Sequence, residues 1–266
     1  LTGNNMYSCN YKMRNVANVV VRAGTYKGYT RALEIDYADD CYLHFPFLTG
    51  AFGDHFDSQT AALTLWQSNN VTINVDRMVV DDDRTRAVRF RTGLVENCKD
   101  CTVHIGDLYL NCSADRLNDW IQNHGGIDCW VIIDRLHILG EMGGTVYRAR
   151  EEDDGTADAA ASGGGIKIGQ IIAPTGRPLK LVHFGSAGVS PHPTNMRAEI
   201  GKRNGIGGVW DANTFNDVGT GNRIIVDGQE RITLSAVVCS FATNGDAVFT
   251  PSNFTYDAVR EAIMSK

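Results

Sequence analysis

The sequence predicts an all-β fold, a single-stranded parallel solenoid of about seven or more coils, and three observations carry that prediction. A short apolar signature recurs at intervals near thirty residues. Each copy is followed by Asp or Gly, the residues that best tolerate a sharp bend or a positive φ. The connecting segments are rich in Gly, Asp, Asn and Thr and lack the 3.6-residue apolar period of a helix.

The signature is plainest in CTVHIGDLYL (101–110) and CWVIIDRLHI (129–138). Anchored on Ile105, its copies are Ile35, Val75, Ile133, Ile168, Ile200 and Val226, with steps from Val75 onward of 30, 28, 35, 32 and 26 residues. The hinge residues that follow the anchors are Asp36, Asp76, Gly106, Asp134, Gly169, Gly201 and Asp227. Past the hinge, alternation resumes at Met78/Val80, Leu108/Leu110, Leu136/Ile138 and Ile171/Ala173, which reads as strand, bend, strand with one face buried. A third extended segment follows in each repeat, at 87–91, 119–122, 145–149, 180–184 and 208–210. Such coils stack at about the 4.8 Å strand spacing.

A β-propeller would need repeats of about 40–45 residues with four strands per blade, and a leucine-rich repeat its Leu/Asn ladder. A βαβ fold would need helices between the strands. Helical character is confined to 256–265, read as a capping helix, and to a short turn near 58–62. The division expected is a lead-in or cap over 1–16, the repeat domain over 17–240 with 151–165 an extruded loop, and a C-terminal segment over 241–266.

The opening coil is the most specific segment. NVVVRAGTYKG (18–28) contains Val19-Val20-Val21-Arg22-Ala23-Gly24-Thr25-Tyr26, a V-x-V-x-x-G-x-Y pattern. With the repeat, it resembles the first coil of right-handed parallel β-helix proteins, the pectate-lyase-like and bacteriophage-tailspike-like family, over roughly residues 17–240. That resemblance implies a tailspike or tail-fibre domain, in a virion tail or otherwise extracellular, that binds bacterial surface polysaccharide as a homotrimer. Whether it also depolymerises the polysaccharide is left open. The alternatives are a secreted polysaccharide lyase or glycoside hydrolase, which the opening coil fits equally well, and a non-catalytic structural or adhesin β-helix, because this architecture hosts unrelated activities. The polygalacturonase motifs Asn-Thr-Asp, Asp-Asp, Gly-His-Gly and Arg-Ile-Lys do not occur in order, and Asn123-His124-Gly125-Gly126 only approaches one of them. That departure counts against pectin hydrolysis.

Composition narrows the partners. The 266 residues carry a formal charge of −6 with no basic block, against a nucleic-acid footprint. No apolar run approaches the roughly 18 residues of a membrane span. The chain begins Leu-Thr-Gly-Asn-Asn, without Met or an apolar leader, so the expectation is a processed chain or a piece of a longer protein. Seven cysteines, at 9, 41, 98, 101, 112, 129 and 239, are too dispersed for a disulfide scaffold. Cys98 and Cys101 have redox or zinc spacing but no second pair, so buried thiols are expected and no metal site is assigned.

In a stacked repeat, function is built by rows of equivalent residues. The outward row before the hinge reads Glu34, Asn74, His104, Ile132, Lys167, Glu199, Ile225; the hinge row reads Arg77, Asp107, Arg135, Gln170, Lys202. The row after it, Val79, Tyr109, His137, Ile172, is apolar enough to suggest a contact surface. Glycan cleavage needs carboxylates on neighbouring coils, for which Asp76 and Asp107 at adjacent hinges are the catalytic candidates. Arg91, Trp120, Gln122, His124 and Tyr147 are the candidates for binding sugar, as aromatic faces, amides and charges on the third segments. No cofactor is expected; calcium is the ion that the acidic runs Asp81-Asp82-Asp83 or Glu151-Glu152-Asp153-Asp154 would take.

Overall fold

The computed structural model describes residues 9–22, 25–28, 31–50, 61–80, 86–91, 97–111, 119–150, 160–173, 179–185, 192–201 and 214–231. Among them every regular element is a strand, and the strands form two stacked sheets. An eight-stranded sheet runs Cys9–Ala17, Arg31–Asp39, Ala61–Trp66, Arg86–Arg91, Ile121–His124, Tyr147–Arg150, Val182–Phe184, Phe215–Asp217 in spatial order, which is also chain order. A ten-stranded sheet carries Tyr42–Gly50, Thr72–Val80, Thr102–Leu110, Trp130–Ile138, Gly165–Ile172, Arg197–Ile200 and Arg223–Val226 in the same sense. Val20–Arg22 and Thr25–Gly28 both pair with Tyr42–Gly50 at one edge. Only the last pair, Arg223–Val226 with Gln229–Arg231, is antiparallel. The chain therefore passes from one sheet to the other and returns one strand further along, an arrangement compatible with a β-helix.

The nine-residue strands explain the repeat. Thr72–Val80, Thr102–Leu110 and Trp130–Ile138 bury Ile73, Val75, Met78 and Val80 and their equivalents, with two successive outward residues between the second and third. Two outward residues in a row shift the alternation by one. The hinge therefore bends the strand while both halves keep their apolar side chains inward. Inward rows run unbroken across the sheet: Phe45–Val75–Ile105–Ile133–Ile168–Ile200–Val226 is one. Leu48–Met78–Leu108–Leu136–Ile171 is another. All of these side chains are buried, each stabilising by about 1.5–3 kcal/mol relative to exposure.

Ile35 is not a member of this row. It belongs to the eight-stranded sheet, paired with Met13 and Leu65, and its place in the row is taken by Phe45. LEID imitates the signature because any half-buried strand alternates, whereas Pro46 at the true hinge hides LHFPF from a search for Asp or Gly. Glu34 correspondingly leaves the outward row, and His44 replaces it.

Between the sheets runs a column of turns. Asp39, Asn69, Lys99, Ile127, Ser162, Thr194 and Thr220 bridge one another in succession. The residue after each has a left-handed backbone: Asp40, Asn70, Asp100, Asp128, Gly163, Asn195 and Gly221 have φ between 50° and 71°. Asn, Asp and Gly are the residues that accept this conformation. Cys41, Cys101 and Cys129 come directly after three of these turns, buried, their thiols donating to the carbonyls of Asp39, Lys99 and Ile127. Cys41, Cys98, Cys101 and Cys129 are unbridged. Burial pushes the Cys98 thiol well up, and hydrogen bonding with Cys129 together with burial raises Cys101, so neither offers a reactive thiolate.

Residues 61 and 62 of the expected turn near 58–62 open the strand Ala61–Trp66, and 58–60 lie outside the described residues. So do the capping helix at 256–265, Lys202, the segment 208–210 and both acidic runs. After Val182–Phe184 the eight-stranded sheet continues with Phe215–Asp217.

Candidate functional site

The outer face of the ten-stranded sheet carries an open groove of about 350 Å3 lined by Tyr42, His44, Asn74, Val75, Asp76, His104, Gly106 and Asp134. Its floor is the outward row before the hinge, where His44, Asn74 and His104 follow one another on successive strands. Its wall is the hinge column, Asp76, Gly106, Asp134. The two are joined by matching pairs: His44 Nε2 lies 2.9 Å from Asp76 Oδ1, and His104 Nε2 lies 2.9 Å from Asp134 Oδ1. Each pair links one strand to the next, and both carboxylates are well exposed.

Gly106 keeps the groove open between the pairs. A Cβ there would stand 2.6 Å from the carbonyl oxygen of Asp76, and one at Gly169 would stand 2.8 Å from that of Asp134. Glycine is thus required by close backbone approach rather than by φ. Its missing side chain leaves the space between Asp76 and Asp134, two strand spacings apart, or about 9.6 Å at the backbone.

Asp107 sits past the hinge in a separate network. Arg135 donates to both its oxygens, Nε at 2.7 Å and Nη2 at 2.6 Å, and His137 Nε2 lies 2.9 Å away. The Arg135 guanidinium holds the Asp107 carboxyl below the ordinary range, so Asp107 stays ionised and ill-suited to giving up a proton. Above it the rings of Tyr109 and His137 stack at 4.1 Å and 7°, and the Arg77 guanidinium lies 4.6 Å from the centre of the Tyr109 ring. Neighbours flank Tyr109 on both sides, which leaves little of its face for a sugar. Asp76 and Asp107 therefore serve different networks, and Asp76 alone of the two lines the groove.

The five expected sugar-binding residues lie on the other sheet. Tyr147 points inward in the row Val88–Ile121–Tyr147–Val182 and is fully buried. Its ring meets Phe184 edge-on with centroids 6.3 Å apart, and its hydroxyl accepts from Asn123 Nδ2 at 3.3 Å. Burial raises the Tyr147 phenol well above its ordinary range. Trp120, just ahead of the strand Ile121–His124, is also fully buried. Both correct the sequence reading: strand phase turns Tyr147 into the core, whereas Trp120 shares the phase of Gln122 and is buried all the same. Arg91, Gln122 and His124 do face outward but are buried too, at 4%, 3% and 0% exposure. Arg91 lies 4.4 Å above the Trp66 ring. Arg150 Nε donates to His124 Nε2 at 2.9 Å and Arg89 Nη2 lies 3.4 Å from its Nδ1, so both ring nitrogens face guanidinium groups. These residues form a buried polar layer on the outer side of the eight-stranded sheet.

Sequence reasoning identified His104 and Asn74 as outward residues and Asp134 as a hinge residue, but did not assemble the site. His44 was missed through the Ile35 misalignment, and a thirty-residue offset from Asn74 would have found it. Among the described residues no group of three or more His, Cys, Asp and Glu is arranged to hold a metal ion, and no helix is long and apolar enough to cross a membrane. No family model, curated protein or solved structure matches this chain.

Proposed function

We propose that the chain is a right-handed parallel β-helix that binds bacterial surface polysaccharide along the outer face of its ten-stranded sheet, in the manner of a phage tailspike or tail-fibre domain. The observation that carries this reading is the groove. It is open, it runs across consecutive strands, and it offers a phenol, an amide, two imidazoles and two carboxylates at its surface. Those groups donate to and accept from hydroxyls, and their spacing at multiples of the strand separation suits a repeating polymer. A His–Asp pair is also able to take a proton from a hydroxyl or a water, so the groove has the elements of acid–base chemistry on a glycan. The same reading makes the assembled protein a homotrimer, which light scattering tests directly.

The test is affinity electrophoresis of the intact chain in gels containing bacterial capsular and O-chain polysaccharides. Reducing ends and unsaturated-uronate absorbance are followed in parallel, and light scattering gives the assembly state. Retardation by at least one polysaccharide is expected. No retardation and no turnover across the panel would overturn the reading and favour a structural β-helix.

A further inference from the structure

Resting on the reading of the groove as a glycan site, we infer that it is selective for sugars bearing a free, protonated amine and rejects polyuronates. The argument is one of charge. Asp76 and Asp134 both line the groove, and each commits one oxygen, Oδ1, to its histidine. The second oxygen of each is left for a ligand, on side chains that are 63% and 60% exposed. The lining set contains no lysine and no arginine, and its two imidazoles are already engaged by these same carboxylates.

The nearest guanidiniums in sequence are engaged elsewhere. Arg77, next to Asp76, lies over the Tyr109 ring, and Arg135, next to Asp134, is held by both oxygens of Asp107. In the outward row beyond His104, Ile132 intervenes before Lys167, which pairs with Glu199 at 3.5 Å. A uronate polymer laid in the groove would set its carboxylates against two others with no lysine or arginine between them, and like charges in juxtaposition suppress binding. An ammonium group on a hexosamine meets the opposite situation. It donates up to three hydrogen bonds to the free carboxylate oxygens, and charge-assisted bonds are the stronger kind. Asn74 and Tyr42 remain for the hydroxyls.

The experiment is isothermal titration calorimetry with chitosan oligosaccharides, their fully N-acetylated counterparts of equal length, and oligogalacturonate. The expected order of affinity is free amine, then N-acetyl, then uronate, with roughly a tenfold step between the first two. The free-amine step should shrink as salt is raised from low to physiological ionic strength. In the Asp76→Asn, Asp134→Asn double variant affinity for the free-amine oligosaccharide should fall at least about tenfold and its salt dependence should be lost. Should the variant unfold, the salt dependence of the unaltered chain carries the test alone. Equal affinity for amine and N-acetyl ligands, a preference for uronate, or failure to bind chitosan while other glycans bind, overturns this inference and leaves the polysaccharide reading standing. Failure to bind any glycan overturns both.

Discussion

Gly106 stands against the carbonyl oxygen of Asp76, which lies 2.6 Å from where a Cβ would be. The obstacle is backbone rather than a flexible side chain. Gly106→Ala is therefore expected to destabilise the protein by about 1–3 kcal/mol, read as a lower urea midpoint at unchanged slope. An unchanged midpoint would show that the hinge column is looser than its spacing implies.

Tyr147 separates a core role from a sugar-binding one. Tyr147→Phe removes the acceptor for buried Asn123 and should cost about 1–3 kcal/mol. Tyr147→Ala should cost about 3–5 kcal/mol through the cavity it leaves. Glycan affinity, measured below the unfolding transition, should be the same in Tyr147→Phe as in the unaltered chain.

Asp107 gives a pH dependence of definite sign. Its carboxyl is lowered in the folded state, chiefly by the hydrogen bonds from Arg135. Its contribution is thus fully present above the ordinary carboxylate range and is lost as the pH falls through the folded value. Asp107→Asn should lower stability by about 0.5–1 kcal/mol at pH 7. Acid titration of both proteins should close the gap below about pH 4.

Cys101 and Cys129, buried behind the left-handed turns, should resist iodoacetamide in the folded protein and react once urea unfolds it. Peptide mass spectrometry resolves each thiol separately. Rapid labelling of Cys101 without denaturant would contradict its burial and raised thiol.

Much of this fold was legible because the inward side chains repeat. Val75, Ile105, Ile133, Ile168, Ile200 and Val226 are one physical row, and six hinges of Asp or Gly mark it. The first repeat was misread because Pro46 occupies its hinge, and alternation alone does not distinguish Ile35 on one sheet from Phe45 on the other. The turn column was equally present, as Asp40, Asn70, Asp100, Asp128 and Asn195 two residues before each long-sheet strand. Its signal is a single residue per repeat, which apolar periodicity does not register. The site was the least legible part. His44 and Asp76 are 32 residues apart and His104 and Asp134 are 30 apart, so both pairs exist only once strands are in register. Tyr147 shows the converse: one residue of phase turns a surface aromatic into a core one.

The most direct test of the groove as a glycan site is to fill it. Asn74 points outward between His44 and His104, so Asn74→Trp should block the groove without entering the core. With a polysaccharide that retards the unaltered chain, the variant is predicted to lose at least about a hundredfold in affinity, a steric exclusion equivalent to roughly 2.7 kcal/mol, at an unchanged melting temperature. Undiminished affinity in a folded Asn74→Trp protein would contradict the account and place the glycan elsewhere.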